Sequence, residues 1–283
     1  MATLITGGGS QIGLRLFELL GEAGKPVIFA SRSGSRLPAG VPSVKFDWED
    51  PTTFEAPFAL GQQIDYVYIL APNTSDPLTP VKPFIDLAVA KGVKRFVLLS
   101  GAGAEADVGP KAQHVGKVQT YLHDKGLDYV ALRPTWFTEN LYRLYGPDIK
   151  GKNLIENVVE KGPISFIAVE DIAQTAFKAI TDVESLPTRE PILVGPERVS
   201  YQDVAASFSK ALGREIKYNI ISIEEKVQQY VQFGRPEQLA HLLVAIEKEL
   251  DDGSDGRLVA DPRALKGKVG VSEWIEKNKA LFS

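Results

Sequence analysis

Apolar residues in the first half of the chain come in short unbroken runs, each followed by a stretch with helical spacing. The runs cover residues 2–6, 26–31, 44–46, 66–70, 95–99 and 129–133. Such runs, bounded by turn-forming residues, read as strands buried on both faces. Between them, residues 11–23 place Ile12, Leu16, Leu19 and Leu20 on one helical face, and residues 83–91 form another helical stretch that Gly92 ends. Short strands alternating with amphipathic helices predict βαβ units, hence an α/β fold with a doubly wound parallel sheet.

Beyond Pro134 the alternation weakens. Residues 171–181 and 200–212 read as helices, and residues 191–194 and 216–220 as strands. Ser222-Ile223-Glu224-Glu225 is a capping-box start for a further helix, and residues 236–250 supply another. The change of pattern divides the chain into a sheet-bearing region, residues 1–145, and a smaller carboxyl-terminal α/β substrate-binding cap, residues 146–283, mixed with it. The acidic run Asp251-Asp252-Gly253-Ser254-Asp255-Gly256 reads as a solvated surface loop, because it lacks the glutamate that a calcium loop places at its twelfth position.

Composition narrows the chemistry. A chain of 283 residues, 44% hydrophobic, can bury a full core. Its net charge of -4 gives no basic field for a nucleic-acid partner. The absence of cysteine excludes disulfides, thiolate catalysis and cysteine-bound metal. His114, His123 and His241 are too scattered for a metal site, so no metal is expected. Neither a leader-like amino terminus nor an apolar stretch approaching ~20 residues is present, so no membrane partner and a cytoplasmic location are expected.

The densest signal is Thr6-Gly7-Gly8-Gly9-Ser10-Gln11-Ile12-Gly13, which follows an apolar run and opens an amphipathic helix. Glycine lets backbone approach a pyrophosphate, and a helix start offers it free N–H groups and the positive end of a dipole. A tight turn would also need glycine. The position at the first strand-to-helix turn of a βαβ series favours a dinucleotide on a Rossmann-type fold, with Gly7, Gly9, Ser10, Gln11, Ile12 and Gly13 as its contacts. The next strand ends Ser31-Arg32-Ser33-Gly34-Ser35-Arg36. An NAD site places a carboxylate there for the ribose 2′-hydroxyl; Ser31, Arg32 and Ser33, with Arg36 near, suit a 2′-phosphate instead, so the cofactor expected is NADP(H).

Further candidates stand where other strands end. Asp47 and Trp48 close the third, at the place of an adenine edge; Ala71 and Pro72 close the fourth, where backbone contacts a nicotinamide ribose; Pro134 closes the sixth. Ser100, ending the fifth, is either a ligand contact or a turn cap. Trp136 and Phe137 are core aromatics or a pocket wall, with Asn140, Tyr142, Tyr145 and Phe166 as possible companions. Asp171 reads as a helix-terminus residue.

Several segments carry a family resemblance over nearly the whole chain: Arg95-Phe96-Val97-Leu98-Leu99-Ser100; Leu132-Arg133-Pro134-Thr135-Trp136-Phe137-Thr138-Glu139-Asn140-Leu141; Phe166-Ile167-Ala168-Val169-Glu170-Asp171-Ile172-Ala173; and Gly195-Pro196-Glu197 with Ser200-Tyr201-Gln202-Asp203-Val204-Ala205. They resemble the NmrA-like atypical short-chain dehydrogenases, and among these the fungal festuclavine and agroclavine dehydrogenases of ergot-alkaloid assembly, where the Arg-Pro-Thr-Trp-Phe run also occurs. The resemblance implies an NADPH-dependent oxidoreductase of indole-alkaloid metabolism that delivers hydride to an imine or iminium. Its substrate would be an apolar, indole-type small molecule. It also implies that Lys117, otherwise a surface charge, contacts the nicotinamide ribose, so that Lys117, Ser100 and Trp136 are the candidate catalytic residues.

Two departures stand out. The group's Gly-x-x-Gly-x-x-Gly loop is here Gly7, Ser10 and Gly13, with Gly9 displaced by one. The Tyr-x-x-x-Lys pair of typical short-chain dehydrogenases is missing from its place; Tyr121 and Lys125 have the spacing but lie a turn beyond Lys117, at a helix end. Two other readings remain open: a redox-mediated cyclase or Diels–Alderase of prenylated indole alkaloids using the same cofactor site, and a non-catalytic NADP-binding redox sensor.

Overall fold

The five residues of β1 (Ala2–Thr6) are all buried, as the central strand of a two-faced sheet requires. The computed structural model describes residues 2–74, 76–103 and 114–283. These form two compact units, Met1–Pro134 with Val169–Ile192, and Thr135–Ala168 with Leu193–Ser283.

In the first unit β1 leads through α1 (Gln11–Glu22) to β2 (Val27–Ser31) and β3 (Ser43–Lys45), then to β4 (Ile64–Ile69), α2 (Leu78–Ala90), β5 (Arg95–Leu99), α3 (Gly116–Asp124) and β6 (Tyr129–Pro134). The chain next forms α4 (Asn140–Lys152) and β7 (Leu154–Asn157) in the second unit and returns as α5 (Val169–Thr181) and the start of β8 (Ile192–Val194). β1 pairs in parallel with β2 on one side and β4 on the other, and the series continues in parallel to β3 and to β5 and β6. The sheet order, β8-β6-β5-β4-β1-β2-β3 from this side, reverses direction of winding at β1 and β4, the switch point where such sheets bind ligands. The parallel Rossmann-type sheet expected from the sequence is therefore present.

Alternation along the strands feeds two layers. Leu4, Val67, Ile69, Phe96 and Leu98 join Val81, Phe84 and Ile85 of α2 and Val118 and Leu122 of α3 in one core. On the other face α1 and α5 pack together, with Arg15 and Glu170 paired at 2.6 Å. Helix α2 starts five residues earlier than residue 83, where the sequence reading puts it. Pro80 falls at the third helical position, whose N–H has no intrahelical acceptor, so the proline is tolerated there.

The second unit pairs β7 in parallel with β9 (Lys217–Ile220). Around them stand α4, α6 (Tyr201–Leu212), α7 (Ile223–Gln232), α8 (Glu237–Lys248), α9 (Ser254–Ala260) and α10 (Val271–Asn278), while β10 (Ala264–Lys266) lies beside β8. Capping boxes at Ser200/Asp203 and Ser222/Glu225 start α6 and α7. Leu141, Ile149, Ile155, Phe208, Val244 and Phe282 build its separate core. The units interleave, changing at 134/135, 168/169 and 192/193, whereas the sequence reading divides the chain once, at 145/146. The return of α5 to the first unit is a tertiary event with no local marker.

The acidic run is not the solvated loop that its composition suggests. Asp251 accepts the backbone N–H groups of Glu160, Lys161 and Gly162 at 2.8–2.9 Å, and Asp255, 1% exposed, accepts from the Ser165 amide and hydroxyl and from Arg198. Acidic residues here satisfy backbone donors that lie about ninety positions away in sequence, the Ser165 amide among them buried. Among the described residues no group of three or more histidine or acidic side chains is placed to hold a metal, and no helix is long and apolar enough to cross a membrane.

Candidate active site

The glycine turn begins at a fixed strand end. Thr6 donates its hydroxyl to the Tyr68 carbonyl at 3.0 Å and accepts the Leu70 amide at 2.9 Å, tying the carboxyl ends of β1 and β4 together. Gly7 then turns with φ +63, and a Cβ there would lie 2.6 Å from Leu70 Cδ2. At Gly8 it would lie 2.4 Å from the Phe29 ring. Ser10 caps α1 by accepting the Gly13 amide at 3.1 Å, and a Cβ on Gly13 would crowd Ser10 Oγ at 2.9 Å and Ile5 at 3.2 Å.

These contacts sort the loop residues by task. Gly7 and Gly8 let the chain turn against β4 and β2, and Gly13 lets α1 approach β1. Gly9 meets only Arg36, whose Cβ would stand 3.0 Å away, so its bareness leaves backbone open to a ligand. Ser10 takes one of the N–H groups that a helix start leaves over; those of Gln11 and Ile12 remain for an anion. Ile12 is 3% exposed, so only its backbone can serve. The cradle thus fits a dinucleotide diphosphate. Sequence reasoning passes over Gly8, whose missing Cβ leaves room for the Phe29 ring, although the triple glycine marks it.

Around this turn Arg32 and Ser33 are exposed, Ser31 Oγ accepts the Gly34 amide at 3.2 Å, and Ser33 and Ser35 share a hydroxyl contact at 3.0 Å. No carboxylate follows β2, and Arg36 runs beside Gly9. Trp48 donates its indole N–H to the Leu70 carbonyl at 3.1 Å and stands edge-on to Phe46 and Phe84, which makes it a strut between the ends of β3 and β4. The Asp47 carboxylate accepts the Glu49 amide. Ala71 and Pro72 follow Leu70 directly and are half-buried.

At the end of β5, Ser100 is 8% exposed and donates to Gln119 on α3 at 2.9 Å. Lys117, at the start of α3, reaches Asp76 at 3.3 Å; Thr79 and Lys117 together hold that carboxyl below its ordinary range. Tyr121 turns to α2 and donates its hydroxyl to Asp86, while Lys82 and Lys125 lie over its ring. Arg133 is wholly buried on β6 and donates to the Ala102 carbonyl at 3.0 Å; Pro134 beside it is buried too.

The second unit holds a cavity of about 180 Å³. Trp136, Tyr230 and Phe233 give it aromatic walls, Leu144 and Leu243 aliphatic ones, and Asn140, Arg143 and Arg235 polar groups. Two of the six pocket candidates read from the sequence, Trp136 and Asn140, are brought together here. Phe137 is tied by a backbone bridge to Ile167 and does not line it. Phe166, expected on the wall, is a core residue instead: it is 2% exposed and packs edge-on against Tyr201. Tyr145 is likewise buried, donating to Tyr201 and accepting from Asn157, and Tyr142 stands edge-on to Phe282. Behind the wall Glu247 accepts the Tyr230 hydroxyl at 2.7 Å; its burial raises its carboxyl above the ordinary range. Tyr230, Phe233 and Arg235 escaped the sequence reading because they lie about ninety residues beyond Trp136 with no motif.

Comparison with known proteins agrees with this geometry. The profile of a family described as NAD(P)H-binding matches residues 7–183. Festuclavine synthase I of Penicillium roqueforti is 38% identical, with 94% of each chain covered, and an agroclavine dehydrogenase of Claviceps purpurea is 33% identical over 96% of this chain and 93% of its own. Among solved structures, an Escherichia coli NADPH-dependent quinone oxidoreductase in complex with NADPH shares the fold at TM-score 0.74 and 20% identity, covering 97% of this chain and 99% of that one. The Citrobacter triphenylmethane reductase complexed with NADP(H) does so at 0.71 and 18%, covering 100% and 96%. With a glycine cradle at the switch point and full-length relatives of this kind, the chain belongs to the NAD(P)H-binding family and is an NAD(P)H-dependent oxidoreductase resembling the fungal clavine dehydrogenases.

Proposed function

We propose that this enzyme uses NADP(H) to reduce an imine, iminium or comparably activated electrophile on an indole-type alkaloid intermediate. The observation that carries the reading is the placement of Tyr121. Its hydroxyl is spent on Asp86, Ser100 is spent on Gln119, and Lys117 is paired with Asp76. The described residues thus offer no tyrosine–lysine pair at the end of β5 to protonate a ketone oxygen, a task worth ~10²–10⁴-fold in rate. An iminium, or an imine already protonated when it binds, needs no such acid, because its nitrogen takes the electron pair of the C=N bond and becomes a neutral amine.

Gly7, Gly9, Ser10, Gln11, Ile12 and Gly13 hold the diphosphate, Arg32 with Arg36 takes the 2′-phosphate, and Ala71 and Pro72 with Lys117 border the nicotinamide ribose. The bound cofactor supplies the hydride. Trp136 and Asn140 receive the substrate's ring system in the second unit. Support for the substrate class comes from the names of the relatives, dehydrogenases and synthases of the clavines festuclavine and agroclavine.

The test is consumption of NADPH, followed by absorbance and mass spectrometry, with an indole-fused cyclic iminium and a ketone of matched size. Reduction of the iminium with the ketone inert is expected. Brisk reduction of the ketone overturns the reading.

A further inference from the structure

The three aromatic side chains that line the cavity of the second unit are held very differently. Trp136 is half-buried and Phe233 is 47% exposed, whereas Tyr230 is 3% exposed. Tyr230 belongs to α7 and donates its hydroxyl to Glu247 Oε1, on the neighbouring α8, at 2.7 Å. The same oxygen accepts Asn157 Nδ2 at 3.3 Å from the end of β7. Asn157 is itself fixed, because its own carbonyl accepts the Val159 amide at 3.1 Å. Lys226, one helical turn before Tyr230, lays its ammonium 5.2 Å over the ring. The ring of Tyr230 is thus secured at its hydroxyl and over a face.

This arrangement is expensive for packing alone. Glu247 is 0% exposed and Lys226 2%, and Glu247 Oε2 is buried with no hydrogen-bond partner among the described residues. Apolar side chains would fill the same space without burying ionisable groups or leaving an oxygen unpaired. What Glu247 supplies is the acceptor for the one polar atom of a cavity-lining ring. A wall set beforehand spares the ordering of that side chain when a ligand enters, worth about two- to tenfold in affinity. We propose that Glu247 is a positioning residue for substrate binding: through the Tyr230 hydroxyl it holds that ring as a preset wall, against which the substrate's aromatic plane is laid. The proposal rests on the reading of this cavity as the place of the substrate's ring, and not on the imine chemistry.

Calorimetric titration of the full chain with skatole, a neutral indole, tests it. Tyr230→Phe keeps the ring and removes its tether; Glu247→Ala removes the acceptor. Each is expected to weaken skatole by about two- to tenfold, with the loss in binding entropy. The double variant should bind no more weakly than either single one, because both remove the same bond. Burial raises the Glu247 carboxyl toward its neutral form, so Glu247→Gln, which keeps an accepting oxygen, should restore most of what Glu247→Ala loses. Unchanged affinity in Tyr230→Phe, losses that multiply in the double variant, or a Gln variant as weak as the Ala one overturns the proposal. Should Glu247→Ala not fold, Tyr230→Phe decides alone, since it spares both the ring and the carboxyl. Trp136→Ala and iminium turnover by the wild type are measured alongside. Skatole affinity indifferent to Trp136→Ala overturns the reading of the cavity and the proposal together. Affinity that falls there but not in Tyr230→Phe removes only the positioning role. Paired losses at Tyr230 and Glu247 without iminium turnover sustain the positioning role and remove the reductase chemistry.

Discussion

Thr6 and Leu70 are joined through a side chain: the threonine hydroxyl accepts the Leu70 amide at 2.9 Å, and Leu70 in turn fills the space where a Gly7 side chain would stand. The first glycine is therefore a folding residue as much as a binding one. Gly7→Ala would combine a positive φ, costing ~1–2 kcal/mol, with a Cβ 2.6 Å from Leu70 Cδ2. A fall of several degrees in Tm is expected by calorimetry. Gly9→Ala has only Arg36 to displace, so it should weaken NADPH binding with little change in Tm. Equal loss of Tm in both variants would contradict this division of labour.

The proposed site puts cofactor choice on Arg32. On that proposal Arg32→Asp removes one charge-assisted contact to the 2′-phosphate, worth about 1.5–3 kcal/mol, or roughly ten- to a hundredfold in affinity. Because the side chain is exposed and no ion pair of the described residues involves it, stability should not change. Fluorescence titration should show NADPH affinity falling by that factor and NADH affinity nearly constant. Parallel losses for both would place the phosphate elsewhere.

Asp251 ties the acid stability of the second unit to a definite window. Burial alone would raise its carboxyl, but the amides of Glu160, Lys161 and Gly162, with Lys248, outweigh that and bring it to about 2 from 3.8. A group depressed on folding contributes its stability above the unfolded value, and loses it as pH falls from about 4 toward 2. The contribution is about 2 kcal/mol, by the cost of one pKa unit. Asp251→Asn should therefore be less stable than wild type by roughly that amount at pH 7 in urea denaturation. The gap should close between pH 4 and 2. A gap independent of pH would mean that geometry, not charge, is what the position supplies.

Much of the first unit is legible in the sequence because its information is local. Buried parallel strands read as apolar runs, and β1 and β5 have the limits that the runs suggest. The glycine turn is legible for the same reason, since its chemistry lies within eight residues. Helix α4 is hidden because Gly146, Pro147 and Gly151 argue against a helix, although its first turns bury Leu141 and Tyr145. Phe166 and Trp136 look alike as isolated aromatics; only packing against Tyr201 sends one to the core and leaves the other at the cavity. Asp251 and Asp255 look solvated because their partners are remote.

The chemistry can be decided at two positions. Tyr121→Phe removes a hydroxyl that serves Asp86, and that bond is the main reason the carboxyl of Asp86 lies below its ordinary range. The cost should be a modest loss of stability, about 1 kcal/mol, since the bond lies partly in solvent. Turnover of an iminium by NADPH should be unchanged. Trp136→Ala removes an aromatic wall of the cavity, so on the proposed reading KM for the indole substrate should rise and turnover should fall far more than in Tyr121→Phe. The balance between kcat and KM distinguishes two tasks for the ring. A rise in KM alone means uniform binding, whereas a fall in kcat means that the ring aligns the electrophile for hydride transfer. If Tyr121→Phe abolishes turnover and ketones are reduced, then Tyr121 must leave Asp86 during catalysis, and the tyrosine-acid mechanism replaces the one argued above.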